Sequence, residues 1–406
     1  MNLDRCVGML HINVIISYDF ISNVSGIYTL TRSLTKSLID NNLMVSLIYR
    51  ERGPKVKVYL NPDLPDLFSE YKSRENFCEY KVSSLIYITI KLLFCFLAIL
   101  KVMSINKRHK ISLIHAQDIN YGAFASIILS LMLHIPVITH GHNMDPRHPN
   151  ALVRGVELFI NRLVFNHSTR IICVSKAVKQ YVINLGADPK KVTELLSGII
   201  VEKFKARENS GSIARHLLRI DKESFVIGYV GRLSPEKNIG VLIEAVADLI
   251  NSKRLKKTFL IIIGEGPEKT KLRELAEEFG IKRHVLFTGF FKKDISDIIH
   301  GIDVFVFPSL TEGLSLSLLE AKAAGRAIIA SNIPPIREII GNGKTGLLVN
   351  PRKKGEITNA ILELYKNPEL RRIMSANAAD EAARHDQREF FKKLLEIYKL
   401  ACYQAS

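Results

Sequence analysis

The feature that most constrains the fold is an alternation of short apolar runs and amphipathic segments, which occurs twice along the 406 residues. The first series extends from about residue 9 to about residue 200, and the second begins near residue 225. Apolar runs separated by helical segments are typical of parallel sheets covered by helices on both faces. A chain of this length is also too long for one ordinary core. The sequence therefore predicts an α/β protein with two Rossmann-like domains.

The domain bounds follow from where each series stops. We predict a first domain over 1–205, a second over 206–385 and a final amphipathic helix within 386–406. The segment 50–61 is basic, contains glycine and proline, and is predicted to be a turn and a connection.

The stretch 303–325 combines a strand, a loop and a helix around two carboxylates. Val304–Phe307 is β-branched and aromatic, which is typical of a buried parallel strand. Glu312 lies in the loop that follows, and Glu320 lies within a helix that is predicted to stop at Gly325. A strand, a loop and a helix N-terminus in this order form the usual ligand corner of an open α/β sheet. Taken alone, Glu320 is equally well explained as a solvated carboxylate on an ordinary helix.

A second loop supplies positive charge. Gly231 and Arg232 follow a predicted strand, and Lys237 and Asn238 come shortly after them. A guanidinium and an ammonium in one loop can bind two phosphates from different sides. The alternative is a pair of solvated basic residues in a surface loop. The formal net charge of +17 favours anionic ligands in general, without choosing among nucleotides, nucleic acid and lipid headgroups.

We predict no metal and no other cofactor. No two aspartates stand at i and i+2, so the Asp-x-Asp arrangement that could hold a metal on a diphosphate is absent. A bound diphosphate would then be neutralised by cationic side chains and helix amides. The five cysteines are scattered and form no Cys-x-x-Cys pair, which fits a reducing, cytoplasmic compartment.

The most apolar stretch is 82–103, which is just long enough to cross a bilayer. Lys91 near its centre opposes insertion by about 3 kcal/mol. The strands on either side are also expected to share one sheet, which a crossing would separate. Two alternatives remain, a core helix and a helix that lies in a membrane interface. Because Lys101 and 107–110 are basic, 82–110 could meet an anionic membrane surface.

Several motifs together resemble those of one enzyme family. Arg232 with Lys237 and Asn238 matches a Gly-x-x-x-x-x-Lys-Asn loop, and Glu312 with Glu320 matches a Glu-x7-Glu motif. Over 225–350, and more weakly over 1–200, the chain resembles the GT-B glycosyltransferases of glycosyltransferase family 4. That resemblance implies two Rossmann-like domains that face each other across a cleft, with the last helix packing back on the N-terminal, acceptor-binding domain. The C-terminal domain would bind the nucleotide-sugar donor.

The resemblance also implies roles for individual residues. The catalytic residues would be Arg232, Lys237, Glu312 and His140. The donor-binding positions would be Gly26, Gly231, Asn238, Gly264, Phe291, Ser315, Leu316, Ser317 and Glu320. Arg232 and Lys237 would bind the diphosphate, Glu312 the transferred sugar and Glu320 the ribose. His140 would lie beside the reacting sugar, with His142 as its chief rival.

The implied activity is transfer of a hexose from a nucleotide diphosphate sugar to a hydroxyl, with retention of configuration. The expected partners are the nucleotide-sugar donor and a sugar or lipid-linked glycan acceptor of cell-envelope synthesis, and not nucleic acid. The expected location is the cytoplasm or the cytoplasmic face of the membrane. The alternatives are a GT-B epimerase or phosphorylase, and a non-catalytic basic protein that binds membrane or nucleic acid.

Overall fold

The computed structural model describes residues 11–16, 26–41, 43–50, 56–60, 84–144, 150–289 and 295–405. The chain divides into two compact units, Met1–Leu196 with Phe390–Ser406 and Ser197–Glu389. Each unit contains one largely parallel sheet flanked by helices, so the predicted α/β class with two Rossmann-like domains is confirmed.

The described residues of the first unit form a sheet of seven strands. In chain order they are β1 His11–Ile16, β2 Met44–Arg50, β3 Val56–Leu60, β4 Leu113–Ala116, β5 Val137–Gly141, β6 Arg170–Cys173 and β7 Val192–Glu194. The helices between them are α1 Gly26–Asp40, α2 Ser84–Arg108, α3 Tyr121–Leu133, α4 Ala151–His167 and α5 Lys176–Asn184. The order across the sheet is β3-β2-β1-β4-β5-β6-β7, and every pair is parallel except β2 with β3.

The antiparallel strand β3 corrects the prediction for 50–61. Val56–Leu60 pairs along its whole length with β2, so this segment is not simply a connection. Its apolar residues alternate with Lys57 and Tyr59, a period of two that suits an edge strand. The basic composition and nearby glycine and proline outweighed this short pattern in the sequence-based prediction.

The second unit contains a six-stranded sheet in which all pairs are parallel. Its strands are β8 Phe225–Val230, β9 Thr258–Ile263, β10 Val285–Gly289, β11 Val304–Phe307, β12 Ala327–Ser331 and β13 Leu347–Val349. Its helices are α6 Val201–Phe204, α7 Ser210–Leu217, α8 Ile239–Asn251, α9 Lys269–Glu278, α10 Ser296–Ile299, α11 Leu316–Ala323, α12 Pro334–Arg337, α13 Lys354–Lys366 and α14 Pro368–Ala382. The predicted strand Val304–Phe307 is β11, and it is buried throughout.

The order of strands in this second sheet, β10-β9-β8-β11-β12-β13, runs outward in both directions from β8 and β11. The connections therefore reverse their direction between these two neighbours. In open α/β sheets, ligands bind beyond the carboxyl ends of the strands at such a switch point. The loops that follow β8 and β11 are the two that the sequence singled out.

The last helix, α15 Gln387–Ala405, joins the first unit from residue 390 onward. The Tyr398 hydroxyl lies 2.6 Å from Nδ1 of His115 on β4, and Tyr398 is fully buried. The predicted return of the last helix to the N-terminal domain is therefore confirmed.

Candidate functional site

Two loops of the second unit lie side by side at the switch point. The first follows β8 and contains a short 3-10 turn over Pro235–Lys237. The second follows β11 and leads into α11. The backbone N–H of Leu310 in the second loop donates to the carbonyl of Glu236 in the first, at 2.8 Å. This bond joins the two loops directly, so side chains at their tips share one location.

Lys237 and Glu312 form an ion pair where the two loops meet. Lys237 Nζ donates to Glu312 Oε1 at 2.5 Å, and the two side chains are 18% and 8% exposed. The Ser309 hydroxyl, which is fully buried, donates to the same Oε1 at 2.6 Å. Both of these bonds go to Oε1 of Glu312. The structure thus brings together two of the four predicted catalytic residues.

Asn238 ends the short turn that contains Lys237 and begins the next helix. It adopts a left-handed backbone, with φ of 55°, and its side-chain amide donates to the carbonyl of Pro351 at 2.7 Å. Asparagine tolerates this conformation better than most residues. Asn238 therefore acts here through the shape of the loop, by ending the 3-10 turn and starting α8.

Arg232 is partly exposed in the same loop, and a buried tyrosine holds its backbone. The Tyr229 hydroxyl donates to the Arg232 carbonyl at 3.0 Å, and the Tyr229 ring stacks on Phe307 of β11 at 5.9 Å. Burial, and then the charges of Glu312 and Glu236, raise the pKa of Tyr229 well above its ordinary value. The phenol therefore stays neutral and works as a hydrogen-bond donor.

Helix α11 begins at the site with Ser315 as its N-cap. The Ser315 hydroxyl accepts from the N–H of Leu318 and lies 3.2 Å from the hydroxyl of Ser317. The first amides of a helix have no carbonyl partner within it, and they favour anionic groups. Leu316 and Ser317 supply such amides, while Glu320 is half-buried one turn into the helix.

Close packing of the backbone at the strand ends explains why position 264 is a glycine. A Cβ at Gly264 would lie 1.9 Å from the carbonyl oxygen of Gly231, and the φ of Gly264 is 142°. The N–H of Gly231 donates to Ile263, and that of Gly264 donates to Gly289. Only glycine fits at position 264, where the ends of β8, β9 and β10 converge. Of the other predicted positions, Gly26 begins α1 in the first unit, and Phe291 lies outside the described residues.

The first unit carries a cluster of three stacked histidines. His140, at the end of β5, lies between His115 and His142, with ring centroids at 5.4 Å and 4.1 Å. His140 is fully buried, and neither of its ring nitrogens has a hydrogen-bond partner among the described residues. His142 is partly exposed. Burial, which disfavours the charged form, lowers the pKa of His115 and of His142 to about 3 and that of His140 well below its ordinary value.

Hydrogen bonds connect this cluster to the rest of the unit. Oε1 of Gln117 lies 2.9 Å from Nε2 of His142. Nε2 of the same amide lies 3.3 Å from Nε2 of His115. Tyr398 bonds the other side of His115. Sequence reasoning did not select Gln117, Tyr398, Ser309 or Tyr229. Each is recognisable only by its contacts, because a single polar or aromatic residue has no distinctive sequence pattern.

No group of three or more His, Cys, Asp or Glu side chains is arranged to hold a metal ion within the ranges that the structure describes. The absence of a cofactor stays a prediction. The ionic centre is the Lys237–Glu312 pair, with Arg232 in the same loop as Lys237 and helix α11 beginning after the loop of Glu312. Such a centre can bind a diphosphate through cations and amides, and can bind hydroxyl groups through carboxylate oxygens.

Comparison with known proteins matches both halves of the chain. A family model described as Glycosyltransferase Family 4 matches residues 24–203, and one described as Glycosyl transferases group 1 matches residues 213–381. The chain is 25% identical over 366 residues to a UDP-Gal:alpha-D-GlcNAc-diphosphoundecaprenol alpha-1,3-galactosyltransferase of Escherichia coli. That match covers 88% of this chain and 89% of the relative.

Solved structures show the same fold. Alr3699/HepE of Anabaena, in complex with UDP, has a TM-score of 0.76 at 18% identity, covering 96% of this chain and 99% of that one. Sucrose-phosphate synthase of Thermosynechococcus elongatus has a TM-score of 0.80 at 17% identity, covering 98% of this chain and all of the other. At these identities the likeness establishes the fold.

Proposed function

This chain belongs to the GT-B glycosyltransferases of glycosyltransferase family 4, which use nucleotide sugars, and we propose that it transfers the sugar to a hydroxyl with retention of configuration. The observation that carries the proposal is the Lys237–Glu312 pair at the switch point of the second sheet, in the loop that also contains Arg232. The donor's diphosphate would lie between these cations and the first amides of α11.

Lys237 and Arg232 would act on the leaving group. As the bond between the sugar C1 and the diphosphate oxygen breaks, negative charge develops on that oxygen. Cations that are already in position stabilise this charge more in the transition state than in the donor, and that difference accelerates the reaction. Glu312 and the turn at 235–237 hold Lys237 in place before the donor arrives. Little reorganisation is then needed at the moment of transfer.

The acceptor hydroxyl would form the new bond to C1 on the face that the diphosphate leaves. Its proton would pass to a phosphate oxygen of the departing diphosphate, so the products are the glycosylated acceptor and a nucleoside diphosphate. No separate base is required in this scheme. Glu312 would accept a hydrogen bond from the transferred sugar through Oε2, and Glu320 would accept from the ribose.

His140 would contact the transferred sugar from the first unit. A neutral imidazole offers one donor and one acceptor, which suits a sugar hydroxyl. Burial keeps this cluster neutral, so it would not compete with Lys237 and Arg232 for the diphosphate. Neither ring nitrogen of His140 has a hydrogen-bond partner among the described residues, which supports this role because a buried polar group is normally satisfied.

We propose a sugar linked through diphosphate to a polyprenol as the acceptor, and UDP-sugars as the first donors to test. The support is the relative from Escherichia coli, whose name specifies a UDP-sugar donor and a diphosphoundecaprenol-linked acceptor. That match covers 88% of this chain and 89% of the relative, so it extends over residues of both units.

The test is product analysis with a panel of nucleotide sugars, with and without a polyprenyl-diphosphate-linked sugar. We expect nucleoside diphosphate release that depends on the acceptor, and a product whose anomeric configuration, measured by NMR, equals that of the donor.

An inverted product would contradict retention. A changed nucleotide sugar without acceptor would indicate an epimerase, and sugar phosphate formed from inorganic phosphate would indicate a phosphorylase. No product, combined with lipid or nucleic-acid binding that survives mutation of Glu312 and Glu320, would indicate a binding protein.

A further inference from the structure

The first unit exposes an apolar surface on three neighbouring helices, α2, α3 and α4, which pack against one another. Ten of the seventeen large hydrophobic side chains that are exposed among the described residues lie on them, so the exposure is concentrated and not scattered. We call these ten the apolar patch: Ile86, Leu92, Leu93, Phe96, Leu100, Leu131, Met132, Leu152, Leu158 and Phe159. Exposed apolar side chains that are concentrated in this way on neighbouring helices indicate an interaction site.

Helix α2 supplies half of the patch and turns its one central charge away from it. Lys91 is only 3% exposed, and its Nζ lies 5.5 Å and 5.9 Å from the ring centroids of Tyr87 and Tyr121. Lys91 also acts on the buried Asp118, whose pKa burial raises to about 6 while Lys91 opposes that rise. The outer face of α2 from Ile86 to Leu100 therefore carries no charge. Lys91 counted against membrane contact in the sequence, but in the folded protein it is buried and does not oppose contact of the outer face with a membrane.

The end of α2 is basic. Lys101, Lys107, Arg108 and Lys110 are all exposed, and the chain contains no acidic residue from 84 to 117. A cluster of Lys and Arg beside an apolar face is the combination that binds anionic lipid surfaces. A second copy of the chain would bring an identical positive cluster to the contact, which opposes pairing. Charge complementarity therefore favours an anionic bilayer over self-association.

The connectivity of the sheet distinguishes lying on a membrane from crossing it. By length and composition alone, Ile86–Arg108 could span a bilayer. However, α2 connects β3 to β4, and both β4 and β2 pair with β1. Phe94, Ala98 and Val102 on its inner face are fully buried. If α2 crossed a bilayer, strands that share one sheet would be separated.

We propose that the apolar patch and the basic end of α2 dock the first unit on a bilayer that contains anionic phospholipid, with α2 lying in the interfacial plane. The outer side chains of α2 would enter the boundary between headgroups and acyl chains. Lys101, Lys107 and Lys110 would meet the phosphates. This docking does not depend on the proposed reaction, and it would bring the enzyme to an acceptor held in the same membrane.

The test is co-sedimentation of the full chain with vesicles of phosphatidylethanolamine and phosphatidylglycerol, compared with phosphatidylcholine vesicles. Phe96→Asp should lower partitioning into the anionic vesicles about 10-fold or more, because it replaces an inserted apolar side chain with a charge. Ile373→Asp is the matched control, since Ile373 is exposed to a similar degree on α14 of the second unit. It should bind like the parent chain. Circular dichroism and thermal unfolding verify that each variant is folded.

The electrostatic part is tested separately. Lys107→Ser combined with Lys110→Ser should lower binding to anionic vesicles about 30-fold at low salt and leave phosphatidylcholine binding unchanged. Equal binding by Phe96→Asp and Ile373→Asp would overturn the proposal. So would a dimer in solution that Phe96→Asp dissociates while vesicle binding is absent. Protein that resists extraction by alkaline carbonate would show a spanning helix, which also contradicts an interfacial one.

Discussion

The ionic centre of the second unit and the histidine cluster of the first are both largely buried groups of polar side chains near the ends of strands. The side chains of the ionic centre are charged, whereas the histidines are neutral. Lys237 and Glu312 remain 18% and 8% exposed and neutralise each other at 2.5 Å. The histidines have ring contacts with one another, and burial keeps them neutral. A buried charge is tolerated only when it is paired and hydrogen-bonded, and otherwise the group shifts to its neutral form, which for a histidine means loss of a proton.

The difference assigns distinct tasks to the two regions. The ammonium of Lys237 is already held by Glu312 and by its own loop, and it is largely desolvated. It can therefore bind an anionic leaving group with little further loss of hydration. Neutral imidazoles bind hydroxyl groups but exert little attraction on phosphates. Four measurements would break or sharpen this comparison, from the largest expected effect to the smallest.

Acid should destabilise the chain through the histidine cluster. The pKa of His115 and of His142 is lowered from 6.5 to about 3 on folding, so between these values the unfolded chain binds protons that the native chain does not. The stability that each contributes is complete above pH 6.5 and is lost as the pH falls toward 3. Each histidine lowers the free energy of unfolding by about 1.4 kcal/mol per pH unit, or about 4 kcal/mol for both at pH 5. Urea unfolding across this range measures the slope.

A matched pair of variants isolates the cluster from other acid-sensitive groups, which include His300 and His385 in the second unit. His142→Gln should reduce the dependence of unfolding free energy on pH by the contribution of one histidine, about 1.4 kcal/mol per pH unit. His216→Gln, at an exposed position, should leave it unchanged. Identical slopes for the two variants would mean that the cluster is not held neutral by the fold.

Removal of the cation should weaken catalysis more than it weakens the fold. Lys237→Ala should lower kcat about 100-fold or more, by analogy with loss of a preorganised oxyanion donor. Lys271→Ala, in which an exposed lysine of α9 is removed, serves as the control and should keep full activity. Steady-state kinetics with any accepted donor measures the effect. An unchanged rate for Lys237→Ala would remove this residue from the catalytic set.

The buried serine behind Glu312 should have a smaller effect. Ser309→Ala removes the hydroxyl that donates to Glu312 Oε1 and leaves the bond from Lys237 to that oxygen. A hydrogen bond to a charged group contributes about 1.5–3 kcal/mol, and we expect kcat/KM to fall about 10-fold. Ser331→Ala removes an equally buried hydroxyl that bonds only the Phe307 carbonyl. It should alter stability but not kcat/KM, and equal losses in the two variants would place Ser309 in the scaffold only.

The smallest effect concerns the contact between the last helix and the histidines. Tyr398→Phe deletes the hydroxyl that lies 2.6 Å from His115 Nδ1, at a fully buried position. The cost should be about 1 kcal/mol of unfolding free energy, with less hydrogen-exchange protection in α15. Tyr403→Phe, at a 75% exposed position on the same helix, should change neither. If both variants behave like the parent chain, the bond does not hold α15 in place.

Much of the second unit was predictable because its signals are local. The apolar run Val304–Phe307 is a strand, Ser315 caps the helix that follows, and Gly325 ends it with a φ of 60°. Glu312 and Lys237 stand at motif positions that the sequence displays. The edge strand β3 was missed, because its five-residue alternation is short and lies next to turn-forming residues.

The sequence by itself determined the α/β class, the two alternating series and the motif positions of Lys237 and Glu312, since these depend on periodicity and on residues at fixed spacing. That Lys237 and Glu312 form an ion pair was not predicted from the sequence. Only the tertiary structure decided that Tyr398 reaches His115 across 283 positions, that Ser309 shares an oxygen with Lys237, and that Lys91 faces inward. Burial and partner choice arise when distant segments pack together. The charge state of a side chain and the direction it faces are therefore properties of the folded protein, whereas strand and helix periodicity is already present in the chain.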